Sequence, residues 1–293
     1  MKRVVSIQDI SCFGKCSLTV ALPIISAMGV ETAVIPTAVL STHTGGFEGF
    51  TFRDLTEDIP AISAHWKKLG LNFDGIYTGY LGSKEQIGII SELFDDIKGH
   101  DTKIIVDPVM GDGGRFYVGF DSSFADEMRN LCKKADIILP NMTEVSFLLG
   151  MPYAEEYNED YVKSCLKKLT GLGCKTAVIT GVCFDGMHQG AVAYDGLTGT
   201  YYSSFGENIP QPVHGTGDMF ASVFTGAMTL CGDLQKSLDI AVKYVVDCIK
   251  KTLPIKEEHS YGAAFELCID RLVEYAKQLN CKDEKHSGDC LQL

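Results

Sequence analysis

The chain has 293 residues, of which 45% are hydrophobic, and a formal net charge of −12. This length and composition suffice for a sizeable buried core in one large domain or two smaller ones. The acidic balance argues against nucleic acid or an anionic membrane as the main partner, since both require a basic surface. It excludes little about small anionic ligands, because main-chain amides and metal ions supply positive charge locally.

The sequence lacks the features of export or membrane insertion. The N-terminal residues MKRVVSIQDI contain only a brief apolar run, and no apolar stretch reaches membrane-spanning length. We therefore expect a cytoplasmic protein without a membrane partner. The eleven cysteines are scattered and odd in number, which favours buried thiols over a disulfide framework.

Short β-branched segments alternate with longer amphipathic segments up to residue 185. Six of the short segments are predicted strands, at residues 3–7, 31–36, 73–79, 103–108, 135–141 and 175–181. The amphipathic segments between them predict helices, a pattern typical of a mostly parallel sheet with helices on both faces. The rest of the sequence predicts an edge hairpin, 190–196 with 199–206, and helices at about 217–230, 233–251 and 260–278.

Polar residues collect where the predicted strands end. They are Gln8 and Asp9 after the first strand, Thr78, Gly79 and Tyr80 after the third, Asp107 and Asp112 after the fourth, Asn141 and Glu144 after the fifth, and Thr180 and Gly181 after the sixth. In open parallel sheets the ligand crevice lies at the carboxyl ends of the strands. Any one of these residues could simply end a strand or cap a helix. Together they predict one rim of one site.

The segment PVHGTGDMF, residues 212–220, places two glycines and a threonine before an aspartate and a predicted helix. Amides of residues 215–217 would form an anion hole at the positive end of that helix. Asp218 beside them would accept the proton of an alcohol while the amides stabilise the oxygens of a transferred phosphoryl group. The alternative role for Asp218 is an N-terminal helix cap.

Two common phosphate-binding motifs are missing from the N-terminal part of the chain. GKCS at 14–17 does not complete a P-loop, because the required first glycine would fall on Asp9. No G-x-G-x-x-G follows the first strand either. We therefore expect any nucleotide to be held by the C-terminal half.

Ordered motifs along the chain resemble a known family. HGTGD at 214–218, DPVMGD at 107–112, LPNMTE at 139–144 and VITG at 178–181 resemble the ribokinase superfamily and, within it, the vitamin kinases. Three further motifs are similar to those of pyridoxal kinases: SIQDISCFGKCSL at 6–18, STHTGGF at 41–47 and TGYLGS at 78–83. The resemblance spans roughly residues 3–250.

The resemblance implies a ribokinase-like three-layer α/β sandwich, with a mostly parallel central sheet flanked by helices and a short flap instead of a separate lid domain. It implies ATP-dependent phosphorylation of the 5'-hydroxymethyl group of pyridoxal, pyridoxine or pyridoxamine, in salvage of pyridoxal 5'-phosphate. The family uses Mg²⁺, often with a monovalent cation such as K⁺, and is usually dimeric, so a homodimer is expected. Residues 1–280 are predicted to form one domain and the polar residues 281–293 a frayed tail.

The resemblance also implies a role for each group of site residues. It makes Asp218 the catalytic base, with the anion hole formed by Gly215, Thr216 and Gly217. The residues implied near the ATP phosphates, the nucleotide or the metal ions are Asp107, Asp112, Asn141, Glu144, Thr180, Gly181 and His214. Those implied around the vitamin are Asp9, Thr44, Gly45 and Tyr80.

Asp9 and His214 leave questions open. Many pyridoxal kinases have serine at the position of Asp9, where a carboxylate would accept a hydrogen bond from the ring phenol or a protonated ring nitrogen. His214 would contact a phosphate or merely pack beside the anion hole.

Three rival functions are weighed against the vitamin B6 kinase. A hydroxymethylpyrimidine kinase of thiamin synthesis shares the G-T-G-D end, but the first loop here lacks that family's G-S-D-x-S-G-G-A-G run. A sugar kinase is less favoured, because such kinases usually carry a separate lid domain and only a short flap is available here. A protein that binds nucleotide or pyridoxal phosphate without turnover is disfavoured, because a carboxylate beside a phosphate is a liability unless it is used.

Overall fold

The structure of this chain, a computed structural model, describes residues 1–280. Its strands are β1 (Arg3–Ser11), β2 (Glu31–Leu40), β3 (Phe52–Asp54), β4 (Gly75–Thr78), β5 (Lys103–Val106), β6 (Gly111–Asp112), β7 (Arg115–Phe116), β8 (Ile137–Ile138), β9 (Thr176–Cys183), β10 (His188–Asp195) and β11 (Thr200–Glu207). Its helices are α1 (Leu18–Ala27), α2 (Asp58–Leu69), α3 (Lys84–Ile97), α4 (Ser122–Lys133), α5 (Met142–Leu149), α6 (Glu159–Thr170), α7 (Thr216–Cys231), α8 (Leu234–Thr252) and α9 (Ile269–Asn280).

Nine of the strands form one sheet in the order β11-β10-β9-β8-β5-β4-β1-β2-β3. The six strands from β9 to β2 in this order pair in parallel. Strands β10 and β11 at one edge and β3 at the other are antiparallel. The predicted mostly parallel sheet with an edge hairpin is therefore confirmed.

Helices cover both faces of this sheet and create two hydrophobic cores. In β1 the side chains of Val5 and Ile7 join the core beneath α2 to α6, and that of Val4 joins the core beneath α1, α7, α8 and α9. Successive side chains of a strand point to opposite faces, so a strand covered on both sides requires a continuous apolar run. The predicted three-layer α/β sandwich is confirmed.

Some predicted boundaries are wrong. The last helix begins at Ile269 instead of near residue 260, because residues 253–268 form turns in which Gly262 has a φ of 147° that no helix accommodates. The predicted strand 135–141 has ladder pairs only at Ile137 and Ile138, since Pro140 follows and cannot donate to a ladder, and pairing resumes as an isolated bridge between Asn141 and Thr180. The short elements β3, β6, β7 and α5 have no predicted counterpart.

The predicted frayed tail, residues 281–293, lies outside the described residues. Within residues 1–280, each helix is too short or too polar to span a bilayer.

Two glycines provide a matched test of this sheet and its helices. A Cβ added at Gly190 of β10 would lie 1.9 Å from the carbonyl oxygen of Ser204 in β11, so Gly190→Ala is expected to lower the free energy of unfolding by about 1–3 kcal/mol or more. Gly88 lies exposed within α3 with open space around it, so Gly88→Ala is expected to raise that free energy by about 0.5–1 kcal/mol. Urea unfolding of both variants measures the two effects, and equal stabilities would contradict the observed pairing of β10 with β11.

Candidate active site

The carboxyl ends of the parallel strands lie side by side at one edge of the sheet. Main-chain hydrogen bonds extend the register beyond the last ladder pairs. The N–H of Asp107 donates to the carbonyl of Thr78 (2.9 Å), and the N–H of Thr180 donates to that of Pro140 (3.0 Å). This edge gathers the strand-end residues that the sequence singled out: Gln8, Asp9, Thr78, Gly79, Tyr80, Asp107, Asn141, Glu144, Thr180 and Gly181.

The N-terminus of α7 presents main-chain amides without helical acceptors. Gly215 precedes the helix with a φ of 81°, and a Cβ there would lie 2.0 Å from the carbonyl oxygen of Lys15, so only glycine fits. No side chain caps this end of the helix. The amides of Gly215, Thr216 and Gly217 therefore lie at the positive end of the helix dipole and are suited to an anion.

Asp218 stands in the first turn of α7, beside these amides. Burial, together with the nearby carboxyl of Asp9, raises the pKa of Asp218 to about 7, against the opposing effect of a hydrogen bond from the main-chain N–H of Ser17. A carboxyl with a pKa near neutral pH is suited to accept a proton and to release it again. This pairing of a tuned carboxyl with an anion hole is the arrangement predicted from residues 212–220.

Asp107 and Glu144 form a second buried acidic group near Asp218. Asp107 is 8% exposed and Glu144 is 3% exposed. Burial raises the pKa of both carboxyls well above their ordinary values. The negative charge of Asp218 raises the pKa of Asp107 further, and the negative charge of Asp107 raises the pKa of Glu144 further. Within residues 1–280, neither carboxyl has a lysine, arginine or histidine ion-pair partner.

Asn141 and Glu144 also have a structural role. Glu144 accepts main-chain N–H bonds from Met110 (3.1 Å) and Asn141 (2.9 Å), while the Asn141 carbonyl oxygen accepts the N–H of Glu144 (3.0 Å) in a capping box at the start of α5. The Asn141 amide also donates to the carbonyl of Gly111 (2.9 Å). Their contacts hold the loop after β5 against α5, which confirms the capping role, while their role in ligand binding stays a prediction.

The four predicted metal-site residues are not assembled into a ready set of ligands. Asp112 is exposed and accepts the N–H of Gly113 (2.8 Å), and the side chain of Asn141 is engaged in its cap. In the part of the chain that the structure describes, no three His, Cys, Asp or Glu side chains are grouped closely enough to coordinate one ion.

Tyr117, in the loop after β7, is a site residue that the sequence did not reveal. Although the residue as a whole is 43% exposed, partial burial of its phenol raises the pKa of that group, and the charges of Glu144, Asp112, Asp107 and Asp218 raise it further, in that order. Its hydroxyl is therefore close enough to four carboxyls to sense all of their charges. No motif marks this tyrosine, because the segment GGRFYVG reads as an ordinary glycine-rich loop.

Asp9 and Tyr80 come from neighbouring strands of the sheet, β1 and the end of β4, and the charge of Asp9 acts on both Tyr80 and Asp218. Asp9 is 4% exposed, and burial raises its pKa even though the hydroxyls of Ser17 and Ser11 hydrogen-bond to it, the latter at 3.0 Å. Burial, with the charge of Asp9, raises the pKa of Tyr80 to about 12. The predicted vitamin-side pair is therefore a buried carboxyl beside a neutral phenol.

His43 fixes the flap, the loop between β2 and β3 that contains Thr44 and Gly45. Its Nδ1 accepts the N–H of Gly45 (3.2 Å), so Nε2 carries the hydrogen and donates it to the carbonyl of Tyr261 (2.9 Å). The imidazole therefore joins the flap to a segment 218 residues away in sequence. Thr44, by contrast, is exposed to solvent.

His214 lies against the flap. Its ring centroid is 5.5 Å from that of His43, and a Cβ at Gly45 would lie 3.3 Å from its ring. Burial, with the neighbouring His43, lowers the pKa of His214. These contacts favour the packing role for His214 over a phosphate contact.

Lys15 of the GKCS segment does not act as a P-loop lysine. Its ammonium forms an ion pair with Glu266 and lies 5.0 Å from the ring centroid of Phe265. The side chain is therefore anchored to the segment before α9, in agreement with the sequence expectation that this is not a P-loop.

Comparison with known proteins places the chain in a family. The family model described as phosphomethylpyrimidine kinase matches residues 21–262. The pyridoxal kinase of Dictyostelium discoideum is 26% identical and aligns over 97% of this chain and 99% of its own length.

Two solved structures are similar over nearly the whole chain. A Bacteroides thetaiotaomicron protein crystallised with pyridoxal is 39% identical with a TM-score of 0.88, covering 92% of this chain and 95% of that one. The pyridoxal kinase of Lactobacillus plantarum is 30% identical with a TM-score of 0.87, covering 95% and 99%. The chain therefore belongs to the phosphomethylpyrimidine kinase family and, with the pyridoxal kinases, to the ribokinase-like superfamily.

Proposed function

We propose that this protein transfers the γ-phosphoryl group of ATP to the 5'-hydroxymethyl group of a vitamin B6 compound: pyridoxal, pyridoxine or pyridoxamine. The observation that carries the proposal is the carboxyl of Asp218, with its pKa raised to about 7, beside the amides of α7. The similarity to a protein crystallised with pyridoxal and to a pyridoxal kinase supports the choice of alcohol.

Asp218 acts as the general base. Its carboxylate accepts the hydroxyl proton as the alcohol oxygen attacks phosphorus, and the bond from phosphorus to the β,γ-bridging oxygen breaks to release ADP. The amides of Gly215, Thr216 and Gly217 donate to the oxygens of the phosphoryl group while their charge is redistributed. These donors are held by the helix, so little reorganisation is required at the moment of transfer.

The vitamin ring is held on the β1 side of Asp218. Asp9 accepts a hydrogen bond from the ring phenol or a protonated ring nitrogen, and the Tyr80 phenol borders the ring. The flap residues Thr44 and Gly45 cover the ring and exclude water, because water in place of the alcohol would hydrolyse ATP. His43 fixes the flap through the two hydrogen bonds described above.

The nucleotide and its metal ion lie on the β5 to β9 side. In this proposal Thr180 and Gly181 border the nucleotide, while His214 packs against the flap beside the anion hole. The residues that surround the phosphates and metal, in part through water, are Asp107, Asp112, Asn141 and Glu144. Buried carboxyls that lack a basic partner fit a cation. Bound Mg²⁺ would supply the positive charge that offsets these acids and the phosphate oxygens.

The remaining expectations from the sequence are part of the same proposal. We infer a monovalent cation such as K⁺ as a second ion and a homodimer as the working state. We also infer one domain formed by residues 1–280 and a cytoplasmic location. The second candidate function is a hydroxymethylpyrimidine kinase, which the name of the matched family model favours.

Turnover by the protein and its Asp218→Asn variant tests the function. We expect ADP release from Mg-ATP with at least one of pyridoxal, pyridoxine and pyridoxamine. We expect a loss of about 10²-fold or more in kcat for the variant, because it lacks the base. Asp239→Asn, at an exposed position of α8, is the control and should retain full activity. Turnover of hydroxymethylpyrimidine alone would move the protein to the second candidate function.

The pH dependence of kcat/KM reports the same carboxyl. Because Asp218 must be ionised to accept a proton and its pKa is about 7, kcat/KM should fall about tenfold per pH unit below pH 7 and level off above it. Pyridoxine and pyridoxamine titrate differently in solution, so a limb shared by both belongs to the enzyme. A profile that stays flat down to pH 5.5 would contradict this role.

Removing the buried carboxyl should also stabilise the ligand-free protein. The folded-state pKa of Asp218 lies above its ordinary value of 3.8, so ionisation costs folded-state stability as pH rises to about 7. The stability advantage of Asp218→Asn should therefore grow by roughly 2 kcal/mol between pH 5.5 and pH 8. Urea unfolding without ATP or Mg²⁺ measures it, with Asp239→Asn as a control that should show no such growth.

A further inference from the structure

Part of the segment between α8 and α9, residues 259–266, is anchored to the body of the protein, and we call it the clasp. Ala264 and Phe265 are each 2% exposed. The N–H of Ala264 donates to the hydroxyl of Thr252 (2.9 Å), and the hydroxyl of Tyr244 donates to the carbonyl of Phe265 (3.2 Å). Because Thr252 and Tyr244 belong to α8, the clasp is a fixed support for the loops that contact it.

The flap is hydrogen-bonded to the clasp through His43. The Nδ1 of this residue accepts the N–H of Gly45 within the flap (3.2 Å), and its Nε2 donates to the carbonyl of Tyr261 in the clasp (2.9 Å). The residue is 4% exposed, and a Cβ added at Gly14 would lie 2.0 Å from its Cδ2. The ring is thus packed directly against main chain, and it holds the flap in one position on the clasp.

The loop before the anion hole is bound to the same clasp. The N–H of Ala263 donates to the carbonyl of His214 (3.2 Å). The next residue, Gly215, lies so close to the carbonyl oxygen of Lys15 that an added Cβ would come within 2.0 Å of it. The placement of Gly215, whose amide is part of the anion hole, therefore depends on how His214 is held.

The flap and the loop before the anion hole also contact each other directly. The ring centroids of His43 and His214 are 5.5 Å apart, and a Cβ at Gly45 would lie 3.3 Å from the His214 ring. His214 is therefore enclosed by the flap on one side and the clasp on the other. Opening of the flap to admit the alcohol would break the hydrogen bond from His43 to Tyr261 and uncover the His214 ring in the same movement.

We propose that His43 and His214 are positioning residues through which closure of the flap over the alcohol fixes the anion hole. The proposal rests on the proposed function, which assigns the alcohol to the flap and the phosphoryl group to the amides from Gly215 onwards. An alcohol beneath the flap stabilises the closed flap, and an anion on these amides stabilises the same arrangement from the other side. Two ligands that favour one conformation strengthen each other's binding. The alcohol and the nucleotide therefore bind cooperatively.

Calorimetric titration of pyridoxine, with and without Mg²⁺ and the non-hydrolysable analogue β,γ-imido-ATP, measures this coupling. We expect the analogue to lower the Kd for pyridoxine about fivefold or more. His43→Asn keeps an acceptor for the N–H of Gly45 but does not reach Tyr261, so its coupling should fall below about twofold. His43→Gln places an amide donor near the position of Nε2 and should retain most of the coupling. Wild-type protein without coupling, or His43→Asn with full coupling, would overturn the proposal.

Two further variants separate coupling from a direct contact between His43 and the vitamin. A direct contact would raise the Kd for pyridoxine equally with and without the analogue and would leave the coupling intact. His214→Ala removes the ring that the flap covers and should also lose the coupling, and full coupling in this variant would refute the route through His214. Glu48→Gln changes an exposed residue of the flap and is the matched control, in which the coupling should equal that of the wild type.

A measurement without ligands distinguishes failure of this proposal from failure of the proposed function. Turnover of a B6 compound without coupling would overturn this proposal alone. Protein that turns over no B6 compound would refute the function, while the contact between the flap and the loop before the anion hole is still measurable by urea unfolding. His43→Asn and His214→Ala should be non-additive in a double-mutant cycle, because the two rings contact each other. Additive effects would overturn the contact on which the coupling depends.

Discussion

Burial of the Asp218 carboxyl beside other carboxyls is the constraint on which this site depends. Four acids lie near one another where the parallel strands end, and desolvation raises the pKa of Asp9, Asp107, Glu144 and Asp218 alike. The cost is offset locally by the N–H of Ser17, the dipole of α7 and main-chain donors to Glu144. A site of this kind gives up stability to gain a base that works near neutral pH.

The loops around the acids are held by contacts between distant parts of the chain. His43 joins the flap to Tyr261, and Phe13 lies 4.6 Å from the Tyr261 ring and 6.0 Å from Phe47 of the flap, measured between centroids. The flap is therefore held against the loop between β1 and α1 and against the segment before α9. Water exclusion at the acceptor side depends on a region of the chain that carries no recognisable motif.

Most of the fold and several residues of the candidate site could be predicted from the sequence. Asp9, Asp107 and Asp218 were predictable because strand ends and a glycine turn have local signatures, and parallel pairing brings strand ends together. Tyr117 was not, because a tyrosine in a loop has no local sequence signature. The start of α9 was misplaced because amphipathic spacing continues through residues whose backbone turns.

The residues proposed to bind the alcohol that accepts the phosphoryl group and those proposed to bind ATP come from different parts of the chain. The residues proposed to hold the vitamin lie within the first 80 positions, on β1, the flap and the end of β4, whereas those proposed for nucleotide and metal begin at Asp107. Asp218 serves both. Substitutions in the first part can therefore exchange one acceptor alcohol for another while the phosphoryl donor machinery is inherited intact. This arrangement gives a physical reason why one chain is similar both to phosphomethylpyrimidine kinases and to pyridoxal kinases.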